Sequence, residues 1–243
     1  MATETGRVAW HELLATDVEA AQAFYRQLLG WEIDLWKPEQ ADYPMIRADG
    51  STHGGFQRTH PDRRIPAHWI PYVTVADTDA TAARARELGG TLRVEPLDVR
   101  DVGRIAILQD REGAEIAALT PASEQPRPEG VFVWDELLAD DVDAASSFYA
   151  QVFDWRADEA DGSYTLFQVD GEPVAGLTKR PAAVPEPTWL SYVATDGIDA
   201  TVRRAGDLGA TVVVDVTESE GVGRWAAIID PLGAPAGLLE QER

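Results

Sequence analysis

"VAWHELLATDVEAAQAFYRQLLGW", residues 8–31, returns as "VFVWDELLADDVDAASSFYAQVFDW", residues 131–155. At an offset of 124, 13 of the 22 pairs from Trp10/Trp134 to Trp31/Trp155 are identical. Further on, "WIPYVTVADTDAT" from Trp69 is answered at an offset of 120 by "WLSYVATDGIDAT" from Trp189. "LGGT" at Leu88, "VGR" at Val102 and "DREGA" at Asp110 find counterparts at Leu208, Val222 and Asp230. The change of offset places a net four-residue deletion in the middle of the second copy, near "EADGSYT". This period is too long for a solenoid unit and reads as two complete domains. The expected division is domain 1 at residues 1–120, a linker at 121–130 and domain 2 at 131–243. The linker stretch "TPASEQPRPEG" holds three prolines and no apolar periodicity, the composition of a semi-stiff connection.

Each copy divides again. "RVAWHELLA" has the character of a strand. Thr16 and Glu19 stand at capping-box spacing, so Thr16 is the expected helix N-cap. Val18, Ala21, Phe24, Tyr25 and Leu28 fall on one helical face, and Gly30 stops the helix. "WEIDLW", "YPMIRA" and "GGFQRT" follow as strands. The order then restarts: strand "HWIPYVTV", helix Asp79 to Leu88, a Gly-Gly stop, and strands "TLRVE", "GRIAILQD" and "AEIAAL". This is βαβββ twice per domain and an α+β fold.

Composition narrows the function. The chain has 243 residues and no cysteine, which removes disulfides, thiolate catalysis and cysteine–zinc sites. With 42 acidic against 21 basic residues and a formal charge of −21, nucleic acid is not an expected partner. No apolar run reaches the length of a membrane helix and "MATETGR" lacks a signal-peptide core, so a cytoplasmic protein without membrane association is expected.

The pattern "ELLATD" at Glu12, "FY" at Phe24 and "LLGW" at Leu28, followed by "W..YV.V.D.DAT", "LGGT" and "D..G", resembles the vicinal oxygen chelate superfamily. That group contains glyoxalases, bleomycin-resistance proteins and extradiol dioxygenases. The likeness runs in order through residues 8–119 and 131–240. It implies two tandem domains, each of two βαβββ modules whose mixed sheet curls into a cup. It also implies a divalent metal held by residues on the first and last strands of the modules. Those positions fall here on Trp10 and Trp134, on Ile70 and Leu190, on Ala117 and Gly237, and near Gly54–Gly55 and Ala175–Gly176. None is a ligand, so no cofactor is expected. A shifted site of His11, His53, His68 and Glu115 is the alternative; it needs several one-residue slips, each of which turns a strand side chain to the other face.

Under strand alternation Trp10 and Glu12 share a face, as do Trp134 and Glu136. Tyr72 and Tyr192, Trp69 and Trp189, His53, and Arg224 complete the expected ligand-binding group. Glu12, Glu136 and Arg104 are the candidate catalytic residues. A glutamate desolvated against indole suits general acid–base work, and Arg104 suits a developing oxyanion. Two other readings stand beside these: the paired tryptophans fill the cup as core, and the glutamates pair with Arg104 and Arg224 as structural ions. The expected function is metal-independent binding of a small apolar or aromatic molecule, such as a drug or secondary metabolite. The alternatives are a metal-independent isomerase, lyase or cyclase of secondary metabolism, and a glyoxalase- or dioxygenase-like metalloenzyme. The expected state is a monomer or weak homodimer.

Overall fold

Alternating apolar strands and short capped helices build the same sequence of elements twice. The computed structural model describes residues 4–37, 42–60, 62, 65–123, 130–160 and 162–242. Residues 124–129, most of the expected linker, lie outside that set. In the first repeat the order is β1 (Val8–Ala15), α1 (Val18–Leu29), β2 (Glu32–Trp36), β3 (Tyr43–Ala48) and β4 (Ser51–Arg58). It continues with β5 (His68–Thr74), α2 (Thr78–Glu87), β6 (Thr91–Val99), β7 (Gly103–Gln109) and β8 (Glu115–Pro121). The second repeat gives β9 (Phe132–Ala139), α3 (Val142–Phe153), β10 (Arg156–Glu159), β11 (Tyr164–Val169) and β12 (Glu172–Lys179). It ends with β13 (Thr188–Ala194), α4 (Ile198–Asp207), β14 (Thr211–Ser219), β15 (Gly223–Ile229) and β16 (Pro235–Gln241).

Each repeat forms one eight-stranded mixed sheet, in the orders β2-β3-β4-β1-β5-β8-β7-β6 and β10-β11-β12-β9-β13-β16-β15-β14. The crossovers β1–β4 and β5–β8 are parallel, as are β9–β12 and β13–β16; the hairpins are antiparallel. This is the expected α+β fold of tandem βαβββ modules. No helix among the described residues is long and apolar enough to cross a membrane.

The helix ends obey the local chemistry with one correction. Asp17, not Thr16, caps α1: its side chain accepts from Ala20 N at 2.9 Å. Glu19 does not reach back into a capping box; it pairs with Arg58 on β4. An Asp one residue nearer the helix outcompetes the Thr because its carboxylate also meets the positive end of the helix dipole. Gly30 adopts φ 74° and closes α1, as its lack of a Cβ permits. The expected face of Val18, Ala21, Phe24, Tyr25 and Leu28 is the buried one.

By packing, the chain separates into two compact units, each drawing on both repeats. Unit 1 comprises Met1–Trp10, Ile70–Arg127 and Trp134–Trp189; unit 2 comprises His11–Trp69, Pro128–Val133 and Leu190–Arg243. The core of unit 1 joins Val73, Leu108 and Ile116 of the first repeat to Phe148, Trp155 and Trp189 of the second. The core of unit 2 joins Leu13, Tyr25 and Trp69 to Ile198, Ile228 and Leu238. The helices meet accordingly, α2 with α3 and α1 with α4.

A buried triad crosses the repeats in each unit. In unit 1, Trp189 Nε1 donates to Tyr149 Oη at 3.2 Å and Tyr149 donates to Asp110 Oδ2 at 3.0 Å. Asp110 Oδ1 accepts from the backbone N–H of Glu112 and Ala114. Unit 2 repeats this with Trp69, Tyr25 and Asp230. Burial holds both carboxyls above the usual carboxylate range and lifts both phenols. A carboxyl raised in this way contributes its stabilisation fully below its unfolded value and loses it as pH climbs through the folded one. Stability attributable to the two carboxyls is therefore expected to fall across that interval. The double variant Asp110→Asn/Asp230→Asn is expected to flatten that fall relative to the parent, read from urea midpoints between about pH 4 and 8.

Candidate functional site

Strand β1 presents two unlike faces. His11 is buried and stacked on Phe132, with ring centroids 3.8 Å apart and planes 11° apart, and Leu13 and Ala15 join the same helix-side core. Glu12 therefore faces the opposite side of the sheet, and it is 7% exposed. There Tyr43 Oη, from the start of β3, donates to Glu12 Oε1 at 2.7 Å. Between them runs β4, with Gly55 in register with Glu12. A Cβ at Gly55 would overlap the Tyr43 ring and hydroxyl, so the glycine is the condition for the tyrosine to cross the strand. Trp36 meets Tyr43 edge-on, with centroids 6.3 Å apart.

The second repeat carries a variant of this arrangement within unit 1. Gly176 is in register with Glu136, and a Cβ there would collide with Tyr164 Oη. Trp134 Nε1 donates to Tyr164 Oη at 2.9 Å. Sequence reasoning missed Tyr43 and Tyr164 as members of these groups. Their signal was a glycine inside a strand at Gly55 and Gly176, neither of which has a positive φ.

Tyrosines also stand beside Ala117 and Gly237, two positions that the resemblance assigns to a metal ligand. Gly237 on β16 is in register with Tyr192 on β13, and a Cβ at Gly237 would meet the Tyr192 ring. Tyr192 packs edge-on to Trp225 at 6.3 Å. In the first repeat Ala117 is in register with Tyr72. This donor set does not fit the divalent metal that the fold family implies.

The shifted histidine set does not assemble. His11 stacks on Phe132; His53 sits at a β-bulge with Nε2 3.1 Å from Ala48 O; His68 Nδ1 lies 2.9 Å from Pro66 O. Glu115 pairs with Arg93 at 2.6 Å and accepts from Gln109 Nε2 at 2.9 Å. Among the described residues no group of three or more His, Asp or Glu side chains could hold a metal ion.

Other expected members are placed elsewhere. Trp69 and Trp189 are each 1% exposed and lie in the helix-side cores, hydrogen-bonded to Tyr25 and Tyr149. Strands β5 and β13 are buried almost throughout, so alternation could not say which face either indole takes. Arg104 does not pair with a strand glutamate. Its Nη2 donates to Asp79 Oδ1 at 2.8 Å and its Nη1 lies 3.1 Å from Asp98, so it ties α2 to the β6–β7 hairpin. The guanidinium holds Asp79 below the usual carboxylate range. Arg224 does the same for Asp199, at 2.9 and 3.0 Å, and also reaches Glu240 at 3.3 Å. Each guanidinium is thus paired with an aspartate in the first turn of a helix, Asp79 of α2 and Asp199 of α4.

A glyoxalase-like domain model matches residues 10–119 and again residues 132–239. Anthracycline biosynthesis protein DnrV of Streptomyces peucetius is 30% identical over 257 residues, covering 97% of this chain and 93% of that protein. A protein named provisionally as a glyoxylase, CFP32 of Mycobacterium tuberculosis, is 28% identical over 249 residues, covering 97% and 95%. The solved Mn(II)-bound glyoxalase of Novosphingobium aromaticivorans superposes with a TM-score of 0.65 at 15% identity, covering 98% of this chain and 84% of that one. Two matched copies of the domain, one on each eight-stranded sheet, make the chain a tandem member of the glyoxalase-like family within the vicinal oxygen chelate superfamily.

Proposed function

We propose that the chain is a metal-independent binder of a small apolar or aromatic molecule, taken against the sheet face that carries Glu12, Tyr43 and Trp36. The observation that carries this reading is the replacement of ligand positions by small residues with tyrosines seated over them, at Gly55, Gly176 and Gly237. An aromatic surface with a few fixed polar groups is the composition of a site for a flat organic molecule. DnrV is named for anthracycline biosynthesis, which makes planar polycyclic polyketides the first compounds to try. Titration of tryptophan fluorescence with such a panel is expected to give saturable binding that changes less than about twofold after exhaustive chelation. Loss of binding on chelation, with recovery on adding one equivalent of a divalent metal, would sink the reading.

A second reading rests on the Tyr43–Glu12 hydrogen bond. A carboxylate fixed by a phenol on a largely buried face can move a proton next to a carbonyl, as an isomerase, lyase or cyclase requires. In that case Glu12→Gln is expected to lower turnover by ~10²–10⁴-fold while binding survives. Gly55→Ala, which displaces Tyr43 without touching Glu12, is expected to reproduce part of that loss. If turnover is undiminished in both variants, Glu12 is not the acid–base group.

A further inference from the structure

The two units treat one indole differently. In unit 1, Trp155 is buried and its Nε1 donates to Gly6 O at 2.8 Å. The segment that supplies this carbonyl is anchored by Gly6 N to Thr74 O at 2.7 Å and by Thr74 N to Arg7 O at 2.9 Å. In unit 2, Trp31 is the counterpart of Trp155 and Gly130 the counterpart of Gly6, both at the offset of 124. Of the two anchoring bonds the second is kept, since Ala194 N donates to Val131 O at 2.9 Å. The capping bond is not: Trp31 is 5% exposed, yet its Nε1 donates to no acceptor among the described residues. Nothing lies within 4 Å of where a Gly130 Cβ would stand, whereas at Gly6 the same position touches Val169 and Trp155.

Trp31 instead lines a cleft of roughly 1180 Å³ within unit 2. The cleft is bounded by the end of α1, the β3–β4 turn, the start of α4 and the end of β16. Its lining carries six carboxylates, among them Glu32 and Asp196, against three guanidiniums. One of those guanidiniums, on Arg224, is already neutralised by Asp199 and Glu240. Such a lining disfavours an anion and favours a neutral or cationic molecule. The Trp31 N–H opens onto this cleft and is free to take an acceptor, and the unit 1 copy shows which kind the geometry accommodates: a carbonyl oxygen.

We infer that this cleft is a ligand site separate from the sheet faces, taking a neutral or cationic molecule that presents a carbonyl oxygen to Trp31 Nε1. The probe that follows from the unit 1 arrangement is N-acetyl-glycyl-arginine amide, which copies the Gly6 carbonyl and the charge of Arg7. Titrated into the full-length protein, it is expected to move one of the eight indole N–H resonances downfield and saturably. That resonance is the one missing in Trp31→Phe, and the other seven should stay in place, which also certifies the fold of the variant. N-acetyl-glycyl-glutamate is expected to bind at least about tenfold more weakly, about 1.4 kcal/mol by the affinity relation. A Trp31 resonance that does not shift with the cationic probe would overturn the inference. So would equal affinity for the anionic probe, or unchanged binding in Trp31→Phe. The readout is independent of Glu12 and Tyr43, so failure of the sheet-face reading and failure of this one are separable.

Discussion

Expressed singly, polypeptides of residues 1–123 and 130–243 are expected to be insoluble or to self-associate, and to reassemble the particle of the whole chain only when produced together. The cores explain why. Leu13, Tyr25 and Trp69 of the first repeat are covered by Ile198, Ile228 and Leu238 of the second, and Val73, Leu108 and Ile116 by Phe148, Trp155 and Trp189. A half chain keeps its sheet but bares both helix-side faces, an apolar area far beyond what a soluble monomer leaves exposed. The first repeat contains both Tyr25 and Asp110, so two copies of it can rebuild both triads as a twofold dimer. Size-exclusion chromatography with near-ultraviolet circular dichroism reads the outcome. A monomeric half with the tryptophan signature of the whole chain would contradict the crossed-core arrangement.

The second large effect is expected at the triads. Trp189→Ala removes a side chain that is 1% exposed and leaves Tyr149 without the indole that donates to it. Truncating a buried aromatic costs about 3–5 kcal/mol, and the residual cavity cannot collapse readily between β13 and α3. Against a total stability of about 5–15 kcal/mol, that is a large share. Trp69→Ala is expected to match it, because Tyr25 and Asp230 repeat the geometry. Trp189→Phe keeps most of the volume and should recover more than half of the loss. Urea midpoints at constant slope measure all three; a Trp189→Ala midpoint within error of the parent would show that the indole is not structural.

The helices and strands were legible because their signals are local. Gly30 announces its own left-handed turn, and Val18 through Leu28 keep a 3.6-residue stripe. What the stripe packs against was not legible. Periodicity marks a buried face but not its partner, and here the partner of α1 is α4 of the other repeat. The site was read in part. Alternation separated Glu12 from His11, as the stack of His11 on Phe132 bears out. Tyr43 and Tyr164 escaped because they lie at an offset of 121, inside the stretch where the repeat changes register, so no duplicated motif drew attention to them. The partner of Arg104 was not legible for a related reason. Its acidic partner Asp79 sits in the first turn of α2, where helix-dipole chemistry alone already accounts for an aspartate.

The triads also bear on descent. A change at Asp110 can be answered by a change at Tyr149, its partner in the opposite half, but not by one at Tyr25 in its own. Substitutions in the two halves are therefore coupled and not independent. The coupling runs crosswise, in two interleaved sets of positions, each spanning the junction of the repeats. Grafting the N-terminal half of one family member onto the C-terminal half of another therefore breaks both inheritances at once, even when the graft falls neatly at the junction.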